Sequence, residues 1–220
     1  AEVEKFLRSV RFPVTVGYGM TECGPLIAYE YWDRTKAGSC GRPVDRMKVK
    51  IDSPDPARIP GEILVKGPNL MTGYYKNPKA TAEVMTADGW MRTGDIGTID
   101  SDSFIFLRGR SKSMILGPSG QNIYPEEIEQ KLNGMPMIAE SLVVGDADGR
   151  LTALIYPDAE AAAREGLDDE GIRQRMEQNI AELNHSLESY SRLSGFRIMD
   201  KEFEKTPKRS IKRYLYGPAT

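Results

Sequence analysis

The chain has 220 residues, with 30 lysines and arginines against 32 aspartates and glutamates and a formal charge of −2. That length allows one generous domain or two small ones, each with its own core. A charge so evenly balanced, with no block of like charges, excludes a polyanion-binding face and hence nucleic acid as a partner. Cys23 and Cys40 lie far apart, without the spacing of a zinc site or a disulfide framework, and are expected as reduced packing residues in a cytoplasmic protein. No signal-peptide pattern and no apolar run of about eighteen residues occurs, so no transmembrane segment is expected. A membrane-adjacent substrate stays compatible with this.

In chain order, Val3, Phe6, Leu7 and Val10 have helical spacing and Pro13 stops the pattern. Val14-Thr15-Val16 reads as a short buried strand entering Gly17. From Gly38 to Phe106 short alternating runs, Met47–Ile51, Glu62–Lys66, Ile96–Ile99 and Phe104–Phe106, are expected as antiparallel strands of a small sheet or open barrel, interrupted by a helix over Pro78–Met85. Trp90 is expected to pack on that sheet. After Gly109 the pattern changes to Met114–Leu116 as a strand and Pro125–Leu132 as a helix with proline and acid in its first turn. Ala139–Val144 and Leu151–Tyr156 follow as strands joined by an Asp/Gly turn. Ile172, Met176, Ile180, Leu183 and Leu187 mark a helix over Asp168–Leu187, and Phe196–Met199 a last strand. Ala159–Glu165 reads as helical or linker-like, and His185, off the apolar stripe, as a surface histidine. The class is α+β, with a β-rich unit over 1–109 and a small α+β unit over 110–220.

One pairing stands out. A carboxylate fixed by a turn at Gly94 (Asp95) and a guanidinium fixed by a turn at Gly109 (Arg110) can each bond a ribose hydroxyl, since Asp accepts and Arg donates. That suggests a nucleotide site; two ordinary sheet turns are the plainer alternative.

The runs Gly17-Tyr-Gly-Met-Thr-Glu22, Gly61–Gly67, Gly73–Pro78, Asp88–Asp95, Gly109–Lys112, Tyr124–Glu129 and Lys205–Pro207, in this order, resemble the adenylate-forming superfamily of acyl-CoA synthetases, luciferases and adenylation domains. The family's upstream phosphate loop has no counterpart here, so the chain resembles the C-terminal part of a longer enzyme and is expected to be inactive alone. The resemblance implies that Glu22 ligates Mg²⁺, that the Thr21 hydroxyl bonds the α-phosphate or acyl carbonyl, and that Tyr18 turns a ring face to adenine. Gly17 and Gly19 would let the backbone approach the nucleotide closely. Without the family, Thr21 and Glu22 read as a capped helix start. Asp95 and Arg110 would hold the ribose from opposite sides of the domain boundary. Gly61–Gly67 and Gly73-Tyr74 are expected to be architectural.

Lys112 falls where the family has its hinge, although a surface lysine in a loop is the plainer reading. Gly120, in the loop 117–121, would pass the pantetheine arm of coenzyme A, and this loop is one residue longer than in short-chain members, as in long-chain fatty acid ligases. Where the family carries its adenylation lysine this chain has Ser210, and Arg209 replaces the preceding glycine. If that segment is extended, Lys208 and Lys212 share the face of Ser210, and one of them would take the role; a solvated basic tail is the alternative. The function expected is activation of a fatty acid by ATP and transfer to coenzyme A. A carrier-protein acceptor is one rival, and a non-catalytic nucleotide-binding or docking module another.

Overall fold

The first apolar stripe folds as a helix, α1 (Glu2–Ser9), in a computed structural model that describes residues 2–217. Its Val3 and Phe6 remain exposed. Val14–Val16 is not the expected buried strand. These residues form a loop, tied by the Thr15 hydroxyl to the Glu30 carbonyl at 2.7 Å. β-branched residues favour strands only where an edge is offered to pair with, and no pairing to this stretch occurs among the described residues.

Next come β1 (Tyr18–Gly19), β2 (Leu26–Tyr29) and β3 (Arg42–Pro43), which form one small sheet. Then β4 (Lys48–Asp52), β5 (Gly61–Lys66), the helix α2 (Pro78–Val84), β6 (Met91–Ile99) and β7 (Ile105–Arg110) follow. These four strands pair antiparallel in the order β4-β5-β6-β7, an open sheet and not a barrel. The inward sides of the strands supply Ile63, Val65, Met91 and Ile105, which pack with Ile27 and Cys23 into one core. Cys23 and Cys40 are both free and buried, and burial pushes the Cys23 thiol up to about 11. Trp90 is half-buried, with the Lys50 ammonium 4.4 Å over its ring.

The chain divides between Lys112 and Ser113 into two compact units. In the second, β8 (Ile115–Leu116) and β9 (Asn122–Ile123) form a hairpin, followed by α3 (Pro125–Leu132), β10 (Ile138–Gly145), β11 (Leu151–Pro157), α4 (Ala159–Glu165), α5 (Asp169–Ser186) and β12 (Leu193–Ile198). α3 begins at its proline because the missing N–H is one the first turn cannot use. β10 and β11 are antiparallel, and β12 returns parallel to β11 after the two helices. Asp158 and Asp168 cap α4 and α5 through their carboxylates, so 159–165 is a helix, not a linker. Leu132, Val143, Leu151, Ile155, Met176 and Leu183 make the core on the helical face. Leu142, Leu154 and Phe203, with Ile211 and Tyr216, make a second core on the other. A sheet covered on both faces needs apolar residues in unbroken runs, as in Leu142-Val143-Val144.

The last segment departs from expectation. It is not extended: Lys205 pairs with Ile211 in an isolated bridge, and the Thr206 amide donates to the Ser210 carbonyl at 2.8 Å, while residues 207–210 are exposed. Lys208 therefore lies in a tight turn and does not share a strand face with Ser210. In that turn Arg209 has φ +63°, a left-handed conformation that costs a side-chain-bearing residue about 1–2 kcal/mol. Arg209→Gly should relieve more than the entropy that glycine adds to the unfolded chain, for a net gain of about 0.5–1 kcal/mol. The check is the urea midpoint; an unchanged or lower one would show that the turn is held without strain.

Candidate nucleotide site

Asp95 and Arg110 are not held by turns. They are direct cross-strand partners on β6 and β7, and the Arg110 guanidinium lies 2.8 Å from Asp95 Oδ1. Both belong to the first unit, so the expected placement on opposite sides of the domain boundary is corrected to neighbours on one sheet. Arg110 also donates to the Thr93 carbonyl at 3.2 Å.

What turns Asp95 toward its partners is a break in the ladder. Along β6 the residues buried in alternation are Met91 and Thr93, and then Ile96. The phase shifts because Glu62 pairs with Ile96 and Leu64 with Arg92, so three residues of β6, Thr93 to Asp95, stand opposite Ile63 alone. A bulge of this kind re-aims a side chain. Gly94 sits in it at φ +72°, a conformation open to glycine and strained for other residues. A second irregularity falls between Ile96 and Gly97 in the pairing with β7.

The third member of the cluster is Tyr18, whose phenol donates to Asp95 Oδ2 at 2.7 Å. Burial, and then the neighbouring Asp95 charge, hold that phenol well above the ordinary tyrosine range, so it stays protonated and remains a donor. Its ring is 6% exposed and packs in the core, which corrects the expectation of a ring face open to adenine. Gly19 is likewise set by packing: an added Cβ would stand 2.1 Å from the Pro25 carbonyl oxygen. The backbone's close approach there is to its own turn.

Thr21 and Glu22 follow β1 in a single tight turn, Thr21–Cys23, that ends at Gly24 with φ 58°. Thr21 is exposed and caps nothing with its side chain. Glu22 Oε1 accepts from the Tyr74 phenol at 3.0 Å, and the Tyr74 amide is in turn held by the Thr81 hydroxyl at 2.9 Å. The sequence marks Tyr74 as architectural, and the one signal pointing to it is an aromatic donor beside a turn glycine. No group of three or more potential metal ligands occurs among the described residues. A single carboxylate with free lone pairs fits Mg²⁺ that arrives with phosphates, since that cation is usually held by one or two carboxylates plus substrate oxygens.

Lys112 is exposed in the turn Ser111–Ser113. Gly120 closes the loop after β8 at φ +82°, with open space where a Cβ would be. In the second unit Lys212 is 3.2 Å from Glu204, and Lys208 is exposed.

Residues 1–75 match the family described as AMP-binding enzyme, and residues 112–216 the AMP-binding enzyme C-terminal domain. The chain is 36% identical over 161 residues to the long-chain-fatty-acid–CoA ligase FadD15 of Mycobacterium bovis, a match covering 73% of this chain and 26% of that protein. It is similar to the solved O-succinylbenzoate coenzyme A synthetase (MenE) of Bacillus subtilis in complex with AMP, at 26% identity and a TM-score of 0.79, over 98% of this chain and 43% of that one. The same enzyme in complex with ATP and magnesium ion matches at 26% identity and a TM-score of 0.78, over 97% and 43%. The chain thus spans about a quarter of the length of that curated ligase.

Proposed function

The chain belongs to the AMP-binding enzyme family, and we propose that it is the C-terminal part of an ATP- and Mg²⁺-dependent acyl-CoA ligase of the cytoplasm. The observation that carries this reading is the cluster of Asp95, Arg110 and Tyr18, which sets an acceptor and a donor side by side on neighbouring strands. Tyr18 and Arg110 pin one oxygen each of the Asp95 carboxylate. The carboxylate is therefore already oriented, as an acceptor for the sugar must be. Glu22 would hold the cation that accompanies the phosphates, its other oxygen steadied by Tyr74, and Thr21 would offer its hydroxyl to the α-phosphate or the acyl carbonyl. A bound divalent cation would neutralise charge building on phosphate oxygens as the substrate carboxylate attacks the α-phosphorus and pyrophosphate leaves.

Lys208 or Lys212 supplies the mobile cation for this first half-reaction. Lys112 acts as a backbone pivot before the second, in which coenzyme A takes the acyl group with its arm passing Gly120. A fatty acid is the proposed substrate, supported by the length of the loop 117–121 and by the likeness to a long-chain ligase. The test uses the full-length protein and measures ATP–pyrophosphate exchange with fatty acids and with O-succinylbenzoate, then thioester formation from preformed adenylate. Exchange driven by long-chain acids, lost by about tenfold or more in Lys208→Ala or Lys212→Ala with thioester formation spared, is the expected result. Exchange with succinylbenzoate alone overturns the substrate, transfer only to a carrier protein overturns the acceptor, and no exchange with any acid leaves a binding module.

A further inference from the structure

The run Gly61–Gly67 carries no chemistry in the reading above. We propose that Glu62, within it, is a positioning residue for nucleotide binding, because its carboxylate holds the bulge that aims Asp95. This rests on the ribose role proposed for Asp95.

The geometry is local to β5 and β6. Glu62 Oε1 accepts from the Gly94 amide at 3.2 Å, and its other oxygen takes the Arg92 guanidinium. Arg92 also reaches Asp52 at 3.7 Å. Thr93 completes the clasp, donating to the Ile63 carbonyl at 2.8 Å and accepting from the Asp95 amide at 3.1 Å. Every one of these bonds ends on the bulge or on the residue before it.

Gly94 is why such a clasp matters. Glycine is the least constrained residue in the chain, and here it stands directly before the carboxylate that must meet the sugar. With no side chain to limit its torsions, the peptide between Gly94 and Asp95 is fixed by hydrogen bonds. Of the side chains that bond the bulge, Thr93 is buried and also serves the core, Arg110 is itself the proposed ribose donor, and Glu62 is half-buried beside the exposed Arg92. Loss of Glu62 leaves the core intact and frees the Gly94 amide. Asp95 then samples orientations away from its ligand, and a displacement of about 1 Å in a binding group can cost up to about 10²-fold.

The experiment is a double-mutant cycle in the full-length protein, with the Michaelis constants for ATP and for the acyl acid measured alongside urea midpoints. Asp95→Asn should raise the constant for ATP, and Glu62→Ala should raise it about tenfold while sparing the constant for the acid. Glu62→Gln, which keeps an acceptor for Gly94, should fall between Glu62→Ala and the parent. Because Glu62 acts only through Asp95, adding Glu62→Ala to Asp95→Asn should change ATP binding by less than about twofold. Independent multiplication of the two effects, equal losses for ATP and acid, or unchanged ATP kinetics in Glu62→Ala would each overturn the proposal while leaving the ribose role standing. Unchanged ATP kinetics in Asp95→Asn would instead overturn the ribose role, and the proposal with it. Should Glu62→Ala fail to fold, Glu62→Gln runs the same cycle.

Discussion

Replacing Arg213 by alanine should destabilise the second unit by about 3–5 kcal/mol, the range seen when one partner of a buried pair is removed. Glu129, on α3, is 8% exposed. One of its oxygens accepts from the Val143 amide of β10 at 2.6 Å, and the other takes the Arg213 guanidinium. Arg213 also donates to the Val143 carbonyl at 3.5 Å and lies 3.7 Å from Glu126. The C-terminal segment is thus fastened to the helix and the sheet at one point.

Burial pushes the Glu129 carboxyl above its ordinary range, while Arg213 and the Val143 amide pull it back. A carboxyl whose folded pKa is raised keeps its proton in the folded state after the unfolded chain has released it. Its contribution to stability therefore falls as pH rises from the ordinary to the raised value and is level above that. Without Arg213 the folded value rises further, so the deficit of Arg213→Ala should be largest at neutral and alkaline pH and should shrink toward the carboxylate range. Urea unfolding of both proteins at about pH 8 and about pH 5 checks this. A deficit independent of pH, or below about 1 kcal/mol, would mean that packing and not the ion pair fastens the segment.

Local signals made several elements readable. Pro125 and the acids behind it mark the start of α3, and the stripe Ile172–Leu187 marks α5, because cap and period are written within a few residues of one another. The chemistry of Asp95 and Arg110 was legible as acceptor and donor. Their geometry was not, since their adjacency depends on how β5, β6 and β7 register, and a bulge spanning Thr93 to Asp95 leaves no mark beyond one glycine. The same holds for Val14–Val16, whose composition favours a strand that no edge receives. At Thr206–Ser210 the proline announces a turn, but arginine in place of glycine at the left-handed position hides where the chain reverses. Tyr74 could be seen to touch Glu22, 52 positions away, only once the chain between them was folded.

The ribose role proposed for Asp95 has the most direct test. Asp95 accepts charge-assisted bonds, and loss of one such bond to a ligand costs about 1.5–3 kcal/mol. In the full-length protein, Asp95→Ala should accordingly lower kcat/KM for ATP in pyrophosphate exchange by roughly 10- to 150-fold. Removing the carboxylate also leaves the Tyr18 phenol without its acceptor, so Asp95→Asn should be measured in parallel to separate loss of charge from loss of a partner. The most direct measurement is ATP dependence of exchange at saturating acyl acid. The account predicts a Michaelis constant for ATP raised by an order of magnitude or more in Asp95→Ala with the fold retained; ATP kinetics unchanged in that variant would contradict it.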